Sequence, residues 1–218
     1  MFSPFEYPEV KITYIELVDK LLKESGRGAV IIGTTFVEGH LTKFIEDILP
    51  QKGNKYRKRL LLYPGPLSSF SAKIELAFAF RLIDEKLYDS LNTLREMRNN
   101  AAHSSTSFEL TELRDKLNKV FDFGPDMPAH VRSQAMKIMM ERKLESVNNI
   151  FVKYKLTSAE KRDRINKFFE DKELMETLEN QIPHWELIFG LSFICGVLSY
   201  QKEKTLQVLD ENRTWSNL

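Results

Sequence analysis

One cysteine, Cys195, stands among 218 residues. A single thiol closes no intrachain disulfide, so no cystine framework holds this fold and a reducing compartment suits it. Glycine and proline are scarce, at nine and eight. That scarcity argues against collagen-like and low-complexity classes and leaves room for long uninterrupted helices. Charge of one sign is lacking too: 32 Lys and Arg against 31 Asp and Glu leave a formal net charge of +1. Whole-molecule attraction to DNA or to an anionic membrane is therefore not expected. His40, His103, His130 and His184 are dispersed and form no H-x-x-x-H or H-E-x-x-H pair, so no metal site is expected. No Walker loop and no G-x-S-x-G nucleophile turn occurs. Gly26-Arg27-Gly28 followed by Gly33 lacks the preceding strand and third glycine of a dinucleotide loop, and no cofactor is expected.

Long hydrophobic runs are also missing, with one exception around Cys195, from Leu187 to Leu198. By itself that run is too short to span a bilayer. Its apolar setting makes Cys195 a core thiol rather than a nucleophile. A surface that apolar is seldom left in water, so the run should pack on the rest of the chain or on a second copy, and a homodimer is expected. The segment Met1-Phe2-Ser3-Pro4-Phe5-Glu6 shows no basic stretch followed by an apolar one. A cytoplasmic protein with no membrane anchor is the expectation.

What is present is helical periodicity. The spacing predicts helices over about 8–23, 27–48, 71–83, 84–103 and 109–120, then 129–154, 158–181 and 184–211. Gly28, Ala29, Gly33 and Thr34 are small enough to let a neighbouring helix approach the second one closely. The third helix carries Ile74, Ala77 and Phe78 on one side and Leu76, Phe80 and Ile83 on the other, which predicts a buried, central position. Thr157-Ser158-Ala159-Glu160 reads as a capping start. Phe123-Gly124-Pro125-Asp126-Met127-Pro128 is the best boundary. The expected architecture is all-α: a helical bundle over 8–122 and a C-terminal helical extension over 129–218.

The most informative stretch is Arg95-Glu96-Met97-Arg98-Asn99-Asn100-Ala101-Ala102-His103. Leu87, Leu91, Leu94 and then Ala101 and Ala102 form an apolar stripe, and Arg98 falls in its gap. A guanidinium in that register needs a partner, because an unpaired buried charge is very costly. Glu24 and Glu38 are the candidate partners, with Arg27 beside them in a structural ion cluster. Arg95, Asn99 and His103 recur at i, i+4 and i+8 and share one side. Such a cluster is either a structural polar plug or a site that handles phosphate. In the second case the imidazole moves a proton and the guanidinium stabilises charge on the phosphoryl oxygens, without metal. A second cationic group, Lys52, Lys55, Arg57, Lys58 and Arg59, lies where no acid occurs between Asp47 and Glu75. It reads as a solvated linker or as a patch for phosphate or a partner. No recognition helix of helix-turn-helix type is evident.

Several blocks resemble the mannitol operon repressor family of bacterial all-helical proteins. They are Glu24-Ser25-Gly26-Arg27-Gly28, then Gly65-Pro66-Leu67-Ser68-Ser69-Phe70-Ser71-Ala72-Lys73-Ile74 with Leu76-Ala77. Leu82-Ile83 and Arg95-x-x-Arg98-Asn99-x-x-Ala102-His103 complete them. The resemblance covers about residues 8–120. Gly26 stands where that family more usually has an acid, and Ala101 where it has a larger apolar residue. The resemblance implies a regulator of transcription that works through a protein partner rather than by reading bases. The Arg98-x4-His103 element is also similar to the HEPN superfamily of helical domains, many of them ribonucleases whose motifs meet at a dimer interface. That similarity implies metal-independent RNA cleavage by Arg98, Asn99 and His103. Ser105 stands where some toxin members carry a tyrosine.

Overall fold

The sequence with few helix breakers folds as helices. A computed structural model of the chain describes residues 4–49, 53–103, 108–153 and 157–215. In order come α1 (Pro8–Leu21), α2 (Gly26–Ile48), α3 (Asn54–Leu61), α4 (Phe70–Ala79), α5 (Glu85–His103), α6 (Arg114–Val120), α7 (Met127–Lys153), α8 (Ser158–Glu170) and α9 (Lys172–Trp215). Short 3-10 turns occupy Pro4–Glu6 and Leu110–Leu113. No strand occurs among the described residues, and the fold is an all-α helical bundle.

Local chemistry sets the helix starts. Ser25 and Ser69 are N-caps whose hydroxyls accept from the amides of Gly28 and Ala72. Thr157 makes the expected capping box: its amide donates to the Glu160 carboxylate at 2.8 Å while its hydroxyl accepts from the Glu160 amide.

The core is built around α2 and α9. Ala29, Val30, Val37, Leu41, Phe44 and Ile45 on α2 are buried at helical spacing. They meet Leu178, Ile188, Leu191, Ile194, Cys195 and Leu198 of α9 in one continuous apolar cluster. Gly33 marks the closest approach: a Cβ there would overlap the Leu191 side chain. Of the small residues read in α2, Gly33 thus admits a neighbour, and the neighbour is α9, whereas Gly28 lies against Glu24. α1 and α7 flank the pair. The segment expected as an extension therefore shares the bundle's hydrophobic core, because α9 supplies the apolar surface that α1 and α2 bury against.

Four expectations change. The helices expected over 158–181 and 184–211 divide instead at Asp171, whose carboxylate accepts from the Leu174 amide and starts α9. α9 then runs through Pro183. Proline removes one hydrogen bond, and burial of Ile182, Trp185 and Ile188 around it outweighs that loss. The central position expected for the third helix belongs to α9; α4 ends at Ala79, leaving Phe78 39% and Phe80 70% exposed. The connection over 49–70 contains α3. Finally, the apolar run is part of a 44-residue helix. Over Lys172–Asp210 that helix is long and apolar enough to cross a membrane, and 83% of its most apolar window is buried inside the fold. The run thus needs no second copy for its burial.

Candidate functional site

The face of α2 that carries Arg27 and Glu38, eleven residues or about three turns apart, looks toward α4 and α5. At its start, Arg27 Nη1 donates to the carbonyl oxygen of Ala101 at 2.7 Å. The guanidinium also lies 5.7 Å from the centre of the Phe108 ring. It satisfies a carbonyl at the end of α5, where the helix dipole favours positive charge.

Three turns on, Glu38 holds two cations. Its Oε2 is 2.8 Å from Arg98 Nη1 and its Oε1 is 2.8 Å from Lys73 Nζ. The Lys73 side chain is 7% exposed, Glu38 17% and Arg98 35%. One carboxylate thus ties α2 to α4 and α5, and each of its oxygens has a charged donor. Met97, not Arg98, continues the buried stripe of Leu87, Leu91 and Leu94; Arg98 takes the edge, where its head reaches Glu38 and part of its stem meets solvent.

Glu38 is the partner of Arg98; Glu24 is not. The Glu24 carboxylate lies over the first turn of α2, against Gly28, where the helix N-terminus favours negative charge. Its backbone carbonyl sits 3.3 Å from His184 Nε2 on α9. Burial lowers the His184 pKa, partly offset by that carbonyl and by Glu109. Arg27 belongs to the cluster through Ala101.

The remaining residues lie apart from this clasp. Arg95 Nε bonds to Asn92 Oδ1 at 3.1 Å, within α5. Asn99 and His103 are exposed on the last turns of α5. Five residues separate Arg98 from His103, about 140° around a helix, so the two point to different sides of α5. No hydrogen bond joins them among the described residues.

Of the basic group, Lys52 lies outside the described residues. Lys55, Arg57, Lys58 and Arg59 all fall on α3. Lys55, Lys58 and Arg59 are exposed at i, i+3 and i+4, and the Arg59 guanidinium lies 5.8 Å from the Tyr56 ring centre. Lys58 and Arg59 occupy the last turn, which suits the helix dipole. The chain then folds back through Gly65, where a Cβ would strike the carbonyls of Arg59 and Leu60. The patch is therefore a short basic helix beside a tight turn, and Leu61 anchors it in the core.

Sequence reasoning missed three polar elements. Lys73 shares the buried register of Phe70, Ile74 and Ala77, the same signal that singled out Arg98. Glu186 on α9 pairs with Arg132 on α7 at 3.4 Å; burial raises its carboxyl above the usual range, and Arg132 partly offsets this. Thr13 and His40 share a 2.9 Å hydrogen bond between α1 and α2, and no local pattern announces a pair 27 residues apart. Cys195 is fully buried, which pushes its thiol pKa up and keeps it protonated.

No protein-family model, curated protein or solved structure matches this chain.

Proposed function

We propose that the chain is a bacterial, cytoplasmic regulatory protein of the mannitol-repressor type, which acts by associating with a protein partner rather than by reading a DNA sequence itself. The observation that carries this reading is the Glu38 clasp. It engages Arg98 and Lys73 at once, so the arginine that phosphate chemistry would need is committed to holding helices together. Among the described residues the densest basic run is on α3, which is eight residues long; a base-reading helix with phosphate contacts on both sides needs more. Self-association fits as well: Ile12 and Ile15 are 59% and 64% exposed on one side of α1, with Leu22 exposed just beyond its end. A homodimer through α1 is the form we propose.

The test is transcriptional. Deleting the encoding gene should raise the mannitol-operon transcript in cells grown without mannitol. The purified protein alone should not retain the operon's promoter fragment at nanomolar concentration and physiological salt. An unchanged transcript after deletion rejects the regulatory reading. Tight, sequence-selective retention rejects the indirect route.

A second reading, a HEPN-type ribonuclease, draws on the exposure of Asn99 and His103 together at the end of α5. It requires a second copy to bring an arginine to the imidazole. Incubation with total RNA and a chelator should then show cleavage that His103→Ala abolishes. Cleavage that is equally fast in His103→Ala removes the assignment.

A further inference from the structure

A groove of about 790 Å³ runs between α1, α2 and α9, away from the Glu38 clasp. One face of α2 forms its floor: Ile32, Phe36, Gly39, His40 and Lys43 follow one another at helical spacing. α1 and α2 are antiparallel neighbours, so the walls change along its length. At one end Lys20 lies 4.9 Å from the centre of the Phe36 ring. In the middle Thr13 and His40 share their hydrogen bond. At the other end Lys202 of α9 stands 3.4 Å from Glu9, near Lys43.

The charged groups that line the groove are mostly lysines. Lys20, Lys43 and Lys202 line it, and among the described residues Glu9 is the one carboxylate that does. Glu16 and Asp47, which pair with these lysines, do not line it. The acids balance the lysines from outside the groove, and the groove itself presents ammonium N–H donors on an apolar floor. Gly39 adds an independent sign of vacant space. A glycine inside a helix costs about 1 kcal/mol relative to alanine, and packing does not account for it here, since a Cβ at Gly39 would meet nothing within 4 Å.

We propose that this groove binds a small amphiphilic monocarboxylate, its apolar body along Ile32, Phe36 and Leu198 and its carboxylate toward Lys43 and Lys202. A pocket of this kind, mostly apolar with a few charged groups at one end, fixes both class and orientation of a ligand. Lys202 is held only loosely, 3.4 Å from Glu9 and 3.9 Å from Asp47, so an incoming carboxylate can displace those acids and fill ammonium N–H donors that they leave open. His40 stays tied to Thr13 and shapes the wall between the two ends. The inference stands apart from the regulatory reading, because binding is measurable whether or not the chain acts on transcription.

The probes are octanoate, 1-octanol and octylammonium, titrated into the full chain by calorimetry and by amide chemical shifts. Octanoate should bind saturably and one-to-one, more tightly than octanol, with octylammonium weakest, and should shift the amides of Phe36 and His40. Gly39→Trp fills the groove where space is open, so the protein should melt no lower than wild type while octanoate binding falls about tenfold or more. Lys202→Gln and Lys43→Gln should each weaken octanoate while leaving octanol unchanged. Absence of saturable octanoate binding overturns the proposal. So does unchanged affinity in a folded Gly39→Trp, or octylammonium binding as tightly as octanoate.

Discussion

Arg27 and Ala101 join the start of one helix to the end of another, 74 residues later, through a guanidinium-to-carbonyl hydrogen bond of 2.7 Å. The arrangement does two things at once. It satisfies a carbonyl that a helix end leaves orphaned, and it places a fixed positive charge at the negative end of the α5 dipole. Arg27→Ala should cost about 1–2 kcal/mol, and Arg27→Lys should recover part of it. Urea unfolding of the three proteins checks this; equal midpoints would show that the contact contributes nothing.

The Glu38 clasp should be asymmetric. Glu38→Ala strands the Lys73 ammonium in a buried position and should cost about 3–5 kcal/mol. Arg98→Ala leaves Glu38 paired with Lys73 and removes a half-exposed partner, so about 1 kcal/mol is expected. Replacing both Glu38 and Lys73 with apolar residues should be milder than Glu38→Ala alone. Thermal unfolding orders the variants. An Arg98→Ala protein as unstable as Glu38→Ala contradicts the assignment of Lys73 as the buried cation.

Phe78 gives a test that separates pattern from packing. On the apolar pattern of 71–83 it belongs in the core, and an aspartate there would be ruinous. In the fold it is 39% exposed and stacks on Tyr88 with ring centres 4.4 Å apart. Phe78→Asp should therefore cost about 1–2 kcal/mol, the value of a partly buried aromatic contact, and leave a folded protein. Ile74→Asp, at a fully buried position one turn earlier, should abolish folding. Circular dichroism on both variants decides.

Two histidines make stability depend on pH. Burial lowers the pKa of His40, with Lys202 lowering it further and Glu9 opposing, and burial lowers that of His184. The unfolded chain then binds protons that the folded chain refuses. Stability is unaffected above the ordinary histidine range and falls as pH drops from about 6.5 toward the lower folded values. The raised carboxyl of Glu186 acts in the opposite sense at lower pH, since the folded form takes up its proton first. Changing both His40 and His184 to Gln should flatten the decline, measured as urea midpoints through that range. A slope unchanged in the double variant assigns it elsewhere.

The all-α class and most helix positions were legible because apolar residues recur at 3.6-residue spacing and few breakers interrupt them. That Arg98 needs an acid was legible for a related reason, since a charge in an apolar register demands one; the sequence offered Glu24 and Glu38, and packing selected Glu38. Lys73 obeyed the same rule and went unread. α3 offers little apolar surface to read, since Leu61 is its one buried residue; its helix rests on the propensity of Lys, Arg and Leu and on its basic last turn. The break expected between 181 and 184 is absent because the helix stays buried through Pro183. The groove at His40 depends on the register of α1 against α2, which no stretch of sequence states.

The partnership of α2 with α9 also dictates timing. During synthesis the inner face of α2 leaves the ribosome more than a hundred residues before Leu191, which fills the space at Gly33. Until then the seam of α2 at Gly33 has no permanent cover, and the nascent chain must carry it open. Contacts so distant along the chain close slowly and leave such surfaces open to aggregation and to chaperones. The protein is thus assembled from its first helices but locked by its last.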